Sequence, residues 1–160
     1  MRRLVIKVGT AVLTQGEELA LQRMKNLVNL ISTLKNDKNL EVILVSSGAV
    51  GAGYTELKLD KTVLANKQTL AAIGQPKLMR IYDEVFDSFG LQVAQCLLTY
   101  HDFEKEATIE NTKNTIHTLL KHEIIPIINE NDTVSVEEII FGDNDKLSAM
   151  VAKIIEADIL

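Results

Sequence analysis

Two clusters of short carboxylates and amides are the chemical centre of this chain. Asn129-Glu130-Asn131-Asp132 follows the apolar run Pro126-Ile127-Ile128, and Gly142-Asp143-Asn144-Asp145-Lys146 begins ten residues after Asp132. Acceptor groups placed where an apolar strand or a helix entry meets a turn are where open α/β sheets gather their ligands. Two further segments have the same form: Leu4-Val5-Ile6-Lys7-Val8-Gly9-Thr10 carries a lysine into a glycine turn, and Val42-Ile43-Leu44-Val45 runs into Ser46-Ser47-Gly48-Ala49-Val50-Gly51. Four strand ends thus bring together a point positive charge, a glycine turn with open backbone N–H groups, and a set of oxygen acceptors.

Each segment also has a plainer reading. Lys7 could snorkel from an edge strand, although an unpaired ammonium inside an apolar run is costly unless it faces a cleft or a partner. Ser47 could merely cap a helix, Asn129, Asn131 and Asp132 could form an Asx turn, and Asp143 or Asn144 could be the N-cap of the helix that follows. A calcium loop starting at Asn129 is excluded, because Val134 stands where its glycine is required and Ile140 where its bidentate glutamate belongs.

Taken in order, Lys7-Val8-Gly9-Thr10, Val45-Ser46-Ser47-Gly48-Ala49-Val50, Lys67-Gln68 with Ala71-Ala72-Ile73-Gly74-Gln75, Asn129-Glu130-Asn131-Asp132 and Gly142-Asp143-Asn144-Asp145 resemble the amino acid kinase family. One glycine turn after a strand recurs in many nucleotide-binding folds. Five segments in series through the whole chain are far more specific. The resemblance implies phosphorylation of the γ-carboxylate of L-glutamate by ATP with Mg²⁺, as the opening step of proline synthesis. It gives Lys7 and Asp145 catalytic roles, with Asp145 orienting catalytic lysines. Lys7, Gly9 and Thr10 would meet the nucleotide; Ser47, Gly48, Asn129, Asp132, Asp143 and Asn144 would hold the amino acid. It further implies a homo-oligomer, proline as a feedback inhibitor, and no metal site built by the protein itself. The nearest alternative is a sibling acting on N-acetylglutamate, but such siblings tend to carry a Gly-Gly pair where Ser46-Ser47-Gly48-Ala49 stands here. A nonenzymatic module that binds glutamate or proline is the rival from another class.

A γ-carboxylate is ionised at neutral pH, with a reference pKa near ~4.3, so its phosphorylation needs no general base. In keeping with this, His101, His117 and His122 lie away from every motif and read as surface or helix-terminal residues.

The elements that must position these groups follow from periodicity. Strands are expected at about 3–8, 41–46, 91–98, 124–128 and 158–160, and helices at 17–36, 61–73, 76–88, 108–121 and 145–156, with Gly74-Gln75-Pro76 separating the second helix from the third. A short hairpin is expected at 133–141. Continuously apolar strands demand burial on both faces, which predicts a mostly parallel sheet in a three-layer α/β/α sandwich. The chain stops at Asp158-Ile159-Leu160 as a strand begins, and residues 1–160 are therefore expected to be the N-terminal, substrate-binding portion of a kinase domain whose nucleotide-binding half lies elsewhere.

Composition narrows the partners. With 17 basic and 22 acidic residues the net charge is −5, and no more than two basic residues are adjacent, which argues against nucleic acid. Arg2-Arg3 leads into an apolar run too short and too charged for a signal peptide or membrane span, so a cytoplasmic protein is expected. Aromatics make up only 4%, leaving Leu, Ile and Val to build the core, and the single cysteine, Cys96, reads as a buried packing residue.

Overall fold

Branched apolar runs flanked by amphipathic helices give this chain its architecture in the computed structural model, which describes residues 2–16, 18–135 and 144–160. In chain order the elements are β1 (Arg2–Val8), the single-turn α1 (Thr10–Leu13), β2 (Thr14–Gln15), β3 (Glu18–Leu19), α2 (Leu21–Asn36), β4 (Leu40–Ser46) and α3 (Ala49–Glu56). There follow α4 (Leu64–Asp87), β5 (Val93–Leu98), a 3₁₀ turn (Tyr100–Phe103), α5 (Glu106–Lys121), β6 (Ile125–Glu130) and α6 (Asp145–Ile154). The main sheet is four-stranded in the order β1-β4-β6-β5, and every pairing within it is parallel. All its carboxyl ends therefore lie along one edge.

Strand alternation divides the core between two faces. On one face Val42, Leu44, Ile125 and Ile127 pack with Met24, Val28 and Ile31 of α2 and Leu78, Tyr82 and Phe86 of α4. On the other, Val5, Ile43, Val45 and Ile128 pack with Ile116 and Leu120 of α5 and Leu147 and Val151 of α6. The expected three layers and parallel sheet are both present.

Several boundaries differ from expectation for identifiable reasons. β2 and β3 pair antiparallel before α2, so that helix begins at Leu21 rather than 17. The helices expected at 61–73 and 76–88 are one helix, with Pro76 inside it. Proline removes the donor that would meet the Ala72 carbonyl, but Ala72 lies on the exposed side, where that carbonyl is open to solvent. Tertiary contact requires the continuity. A Cβ on Gly74 would stand 1.8 Å from the Ala49 carbonyl oxygen, and one on Gly53 would stand 1.9 Å from that of Leu70, so α3 and α4 meet backbone to backbone.

The strand expected at 158–160 is a single parallel bridge between Ile159 and Leu4 on the outer side of β1, with the Val5 N–H donating to the Ile159 carbonyl at 2.9 Å. Asn129 and Glu130 belong to β6 rather than to the turn after it; that turn is made by Asn131, whose carbonyl accepts from the Val134 and Ser135 N–H groups. Most of the expected 133–141 hairpin lies outside the described residues. Cys96 is half-buried rather than fully buried because β5 is an edge strand, and burial still pushes its thiol pKa up. His117 lies within α5 against Arg3, with its Nε2 3.2 Å from the Arg3 Nη1, while His101 is exposed and His122 ends α5.

Because a methyl at Gly74 would collide with fixed backbone, Gly74→Ala is expected to destabilise the fold by about 3 kcal/mol despite alanine's better helix propensity. Urea denaturation measures this, and a midpoint equal to that of the unmutated protein would contradict the packing described.

Candidate functional site

Parallel strands bring the sequence motifs together at one edge. β1 ends at Val8, β4 at Ser46 and β6 at Glu130, and the Ser47 N–H donates to the Val8 carbonyl at 3.1 Å, which joins the first two ends. Gly48 then turns the chain into α3 with φ +103°, in the left-handed region that a side chain would strain, and Leu13 fills the space beneath it. This places buried Ser47 at the helix entry, and its hydroxyl has no partner among the described residues.

Ser46, the neighbouring serine, is structural. Its hydroxyl donates to the Ser47 carbonyl at 3.0 Å and lies 2.9 Å from the Tyr82 hydroxyl. Burial pushes the Tyr82 pKa up while the Ser46 hydrogen bond opposes that shift, so Tyr82 stays neutral and holds α4 against the end of β4.

Lys7 does not snorkel alone from its strand. Its Nζ lies 2.6 Å from Asp145 Oδ1, in the first turn of α6, and 3.7 Å from the place where a Cβ on Gly9 would stand. Lys7, Gly9 and Asp145 thus share one corner, with Thr10 exposed at the start of α1 beside it.

Asn144 precedes α6 but does not cap it with its side chain. The side chain turns inward instead: Nδ2 donates to the Ser46 carbonyl at 2.9 Å and to Asn129 Oδ1 at 2.8 Å. Asn129 Oδ1 also accepts from the Glu130 N–H at 2.9 Å, while Asn129 Nδ2 donates to Gln75 Oε1 at 2.9 Å. Asn144 Oδ1 is buried with no partner among the described residues.

Asp132 is buried in the turn after β6, beside a cleft of about 20 Å³ lined also by Ala49, Ala71, Gln75, Glu130 and Thr133. That volume accommodates about one water-sized group. A larger hollow of about 390 Å³ lies at the opposite end of the sheet among Lys35, Leu40, Lys121 and Ile124, and none of the motif residues lines it. The chemistry-bearing groups, rather than the larger volume, mark the site.

The structure therefore gathers Lys7, Gly9, Thr10, Ser47, Gly48, Asn129, Asp132, Asn144 and Asp145 at the carboxyl edge of the sheet. Asp143 lies outside the described residues. Sequence reasoning gave no role to Gln75, Tyr82 or Glu130, which is buried with the Ser135 hydroxyl donating to it. The available signal for Gln75 was a polar residue between Gly74 and Pro76 in an otherwise helical run.

The chain belongs to the amino acid kinase family, whose model matches residues 2–160. Among its relatives are the glutamate 5-kinases of Wolinella succinogenes, 52% identical over all of this chain and 62% of that protein, and of Leishmania donovani, 45% identical over all of this chain and 60% of that protein. The glutamate 5-kinase of Caldanaerobacter subterraneus is 50% identical over 99% of this chain and 43% of that protein. The chain thus spans about two fifths to three fifths of the length of these curated relatives. The fold is shared with a solved UMP kinase from Ureaplasma parvum, with a TM-score of 0.61 at 16% identity, covering 99% of this chain and 67% of that one.

The Lys7–Asp145 pair contributes little to stability, because the Asp145 side chain is 69% exposed and water screens the attraction. Asp145→Asn is expected to change unfolding free energy by less than about 1 kcal/mol. A loss of several kcal/mol in urea denaturation would show the pair to be a structural strut instead.

Proposed function

We propose that this chain provides the acceptor side of a kinase that transfers the γ-phosphoryl group of ATP to the γ-carboxylate of L-glutamate, giving L-glutamyl 5-phosphate in the cytoplasm. The observation that carries this reading is the meeting of Lys7 and Asp145 beside buried Ser47 and Asn144, each with an oxygen unpartnered among the described residues, and the Asn129 amide that Asn144 joins. Identity of 45–52% to glutamate 5-kinases along the whole chain supports the choice of substrate.

In this reading a γ-carboxylate oxygen of glutamate forms the new bond to phosphorus, and the bond from phosphorus to the bridging oxygen of ADP breaks, with its electron pair leaving on ADP. The carboxylate arrives ionised, so no side chain need take a proton. Lys7 supplies positive charge where the transferring oxygens gain negative charge, and Asp145 holds the ammonium in place. Gly9 leaves its side of the Lys7 ammonium clear for phosphate oxygens, with Thr10 next in the chain. Asp132 and Asn144 offer oxygen acceptors to the substrate's α-ammonium, and the α3 entry offers the Ser47 hydroxyl and the N–H groups from Gly48 onward to its α-carboxylate.

Among the described residues no group of three or more His, Cys, Asp or Glu side chains is placed to hold a metal ion. Mg²⁺ would arrive as the counter-ion of the nucleotide. Contacts to the rest of the nucleotide belong, in this proposal, to a second half of the kinase domain. No helix among the described residues is long and apolar enough to cross a membrane.

The test is ADP release by the intact protein with L-glutamate or N-acetylglutamate as acceptor, with hydroxylamine added to trap the acyl phosphate. L-glutamate is expected to be the better acceptor, and Lys7→Ala is expected to lower kcat by about 10² to 10³-fold while leaving the glutamate KM within about threefold, because the contact strengthens as phosphoryl charge develops. Preference for N-acetylglutamate would replace this reading with the sibling reaction; no acceptor-dependent ADP release would remove the kinase reading altogether.

A further inference from the structure

Four side-chain amides run end to end across the mouth of the sheet, all donating in one direction. Asn144 Nδ2 donates to Asn129 Oδ1 at 2.8 Å, Asn129 Nδ2 to Gln75 Oε1 at 2.9 Å, and Gln75 Nε2 to Gln95 Oε1 at 2.8 Å. The ladder starts at the entry to α6, crosses β6 and α4, and ends on the edge strand β5.

Its direction is fixed by the backbone. Asn129 Oδ1 also accepts from the Glu130 N–H, and Asn144 Nδ2 also donates to the Ser46 carbonyl. Neither backbone group can reverse its role. Asn129, 1% exposed, must therefore direct its N–H groups toward Gln75, and position 75 must supply an acceptor. At the other end the same polarity commits Asn144 Nδ2 to the protein and leaves Asn144 Oδ1, in a side chain with no solvent exposure, as an open acceptor. An open buried acceptor is unfavourable unless a ligand's donor meets it.

We propose that Gln75 is a positioning residue and a determinant of specificity. By accepting from Asn129 it meets the N–H side of an amide whose orientation the backbone has set, and so holds Asn129 Oδ1 where it receives Asn144 Nδ2 and leaves oxygen, rather than N–H, open at Asn144. The site then favours a ligand bearing an N–H donor, as the ammonium of an amino acid does, over the same dicarboxylate without one. Which ligand arrives rests on the glutamate kinase reading; the polarity of the ladder does not.

The experiment compares Gln75→Met, which keeps an unbranched side chain but removes the acceptor, with Gln75→Glu, which keeps the acceptor. In the intact protein, Gln75→Met is expected to raise the glutamate KM about tenfold with the ATP KM within about twofold, and to reduce discrimination between L-glutamate and the competitor glutarate by about tenfold. Gln75→Glu is expected to stay within about threefold on each count, and Gln95→Ala within about twofold, since water replaces an exposed partner. If Gln75→Met fails to fold, Gln75→Lys, which only donates, carries the same expectation. An unchanged glutamate KM and selectivity in the acceptor-lacking variant, or equal damage from Gln75→Glu, would overturn the proposal. The side-chain amide NMR signals of Asn129 and Asn144 give a readout independent of activity: both should move in Gln75→Met and hold in Gln75→Glu. Signals unmoved by Gln75→Met would overturn the ladder whatever the substrate, whereas absent turnover in the unmutated protein would overturn only the kinase reading.

Discussion

The inward turn of Asn144 is the tie on which the site depends. Its amide links the entry of α6 to the carboxyl ends of β4 and β6 through the Ser46 carbonyl and Asn129. The next residue, Asp145, is thereby carried to Lys7 at the end of β1. Each such hydrogen bond contributes only about 1 kcal/mol net. Their combined effect is positional, because parallel pairing has already placed these strand ends on one edge and the amide then sets how α6 approaches them.

Stability and function are supplied by different groups. The two apolar layers and the backbone contact at Gly53 and Gly74 hold the sheet between its helices. The site draws the other way: Ser47 and Asn144 each bury an oxygen that the described residues leave without a partner, and Lys7 interrupts an apolar strand. Groups that lower stability yet stand together at one sheet edge are best explained by a ligand that completes them.

The fold was legible where local pattern and burial agree. Val42-Ile43-Leu44-Val45 is apolar on both sides because β4 is covered on both faces, and its strand follows from that alone. The continuous α4 was not legible: Gly74-Gln75-Pro76 reads locally as a break, and only the approach of Ala49 across the interface shows why the helix passes through it. The site was legible as residue types, since Lys7, Ser47, Asn129, Asp132, Asn144 and Asp145 converge as expected. Their directions were not. Asn144 reads as a helix cap from its neighbours, yet its partners at Ser46 and Asn129 lie 98 and 15 residues away, and Gln75 finds Asn129 at a separation of 54. A short polar side chain's aim depends on what the topology sets opposite it, which no local window contains.

The central claim is that the carboxyl edge of β1, β4 and β6 is an amino acid acceptor site facing a phosphoryl donor. Its most direct test is a crystal structure of the intact protein with L-glutamate and a nonhydrolysable ATP analogue. The account predicts the γ-carboxylate close to Lys7, the α-ammonium within hydrogen-bond distance of Asn144 Oδ1 or Asp132, and the α-carboxylate at the α3 entry beside Ser47. Glutamate bound away from this edge, or bound here with its ammonium in solvent, would contradict it.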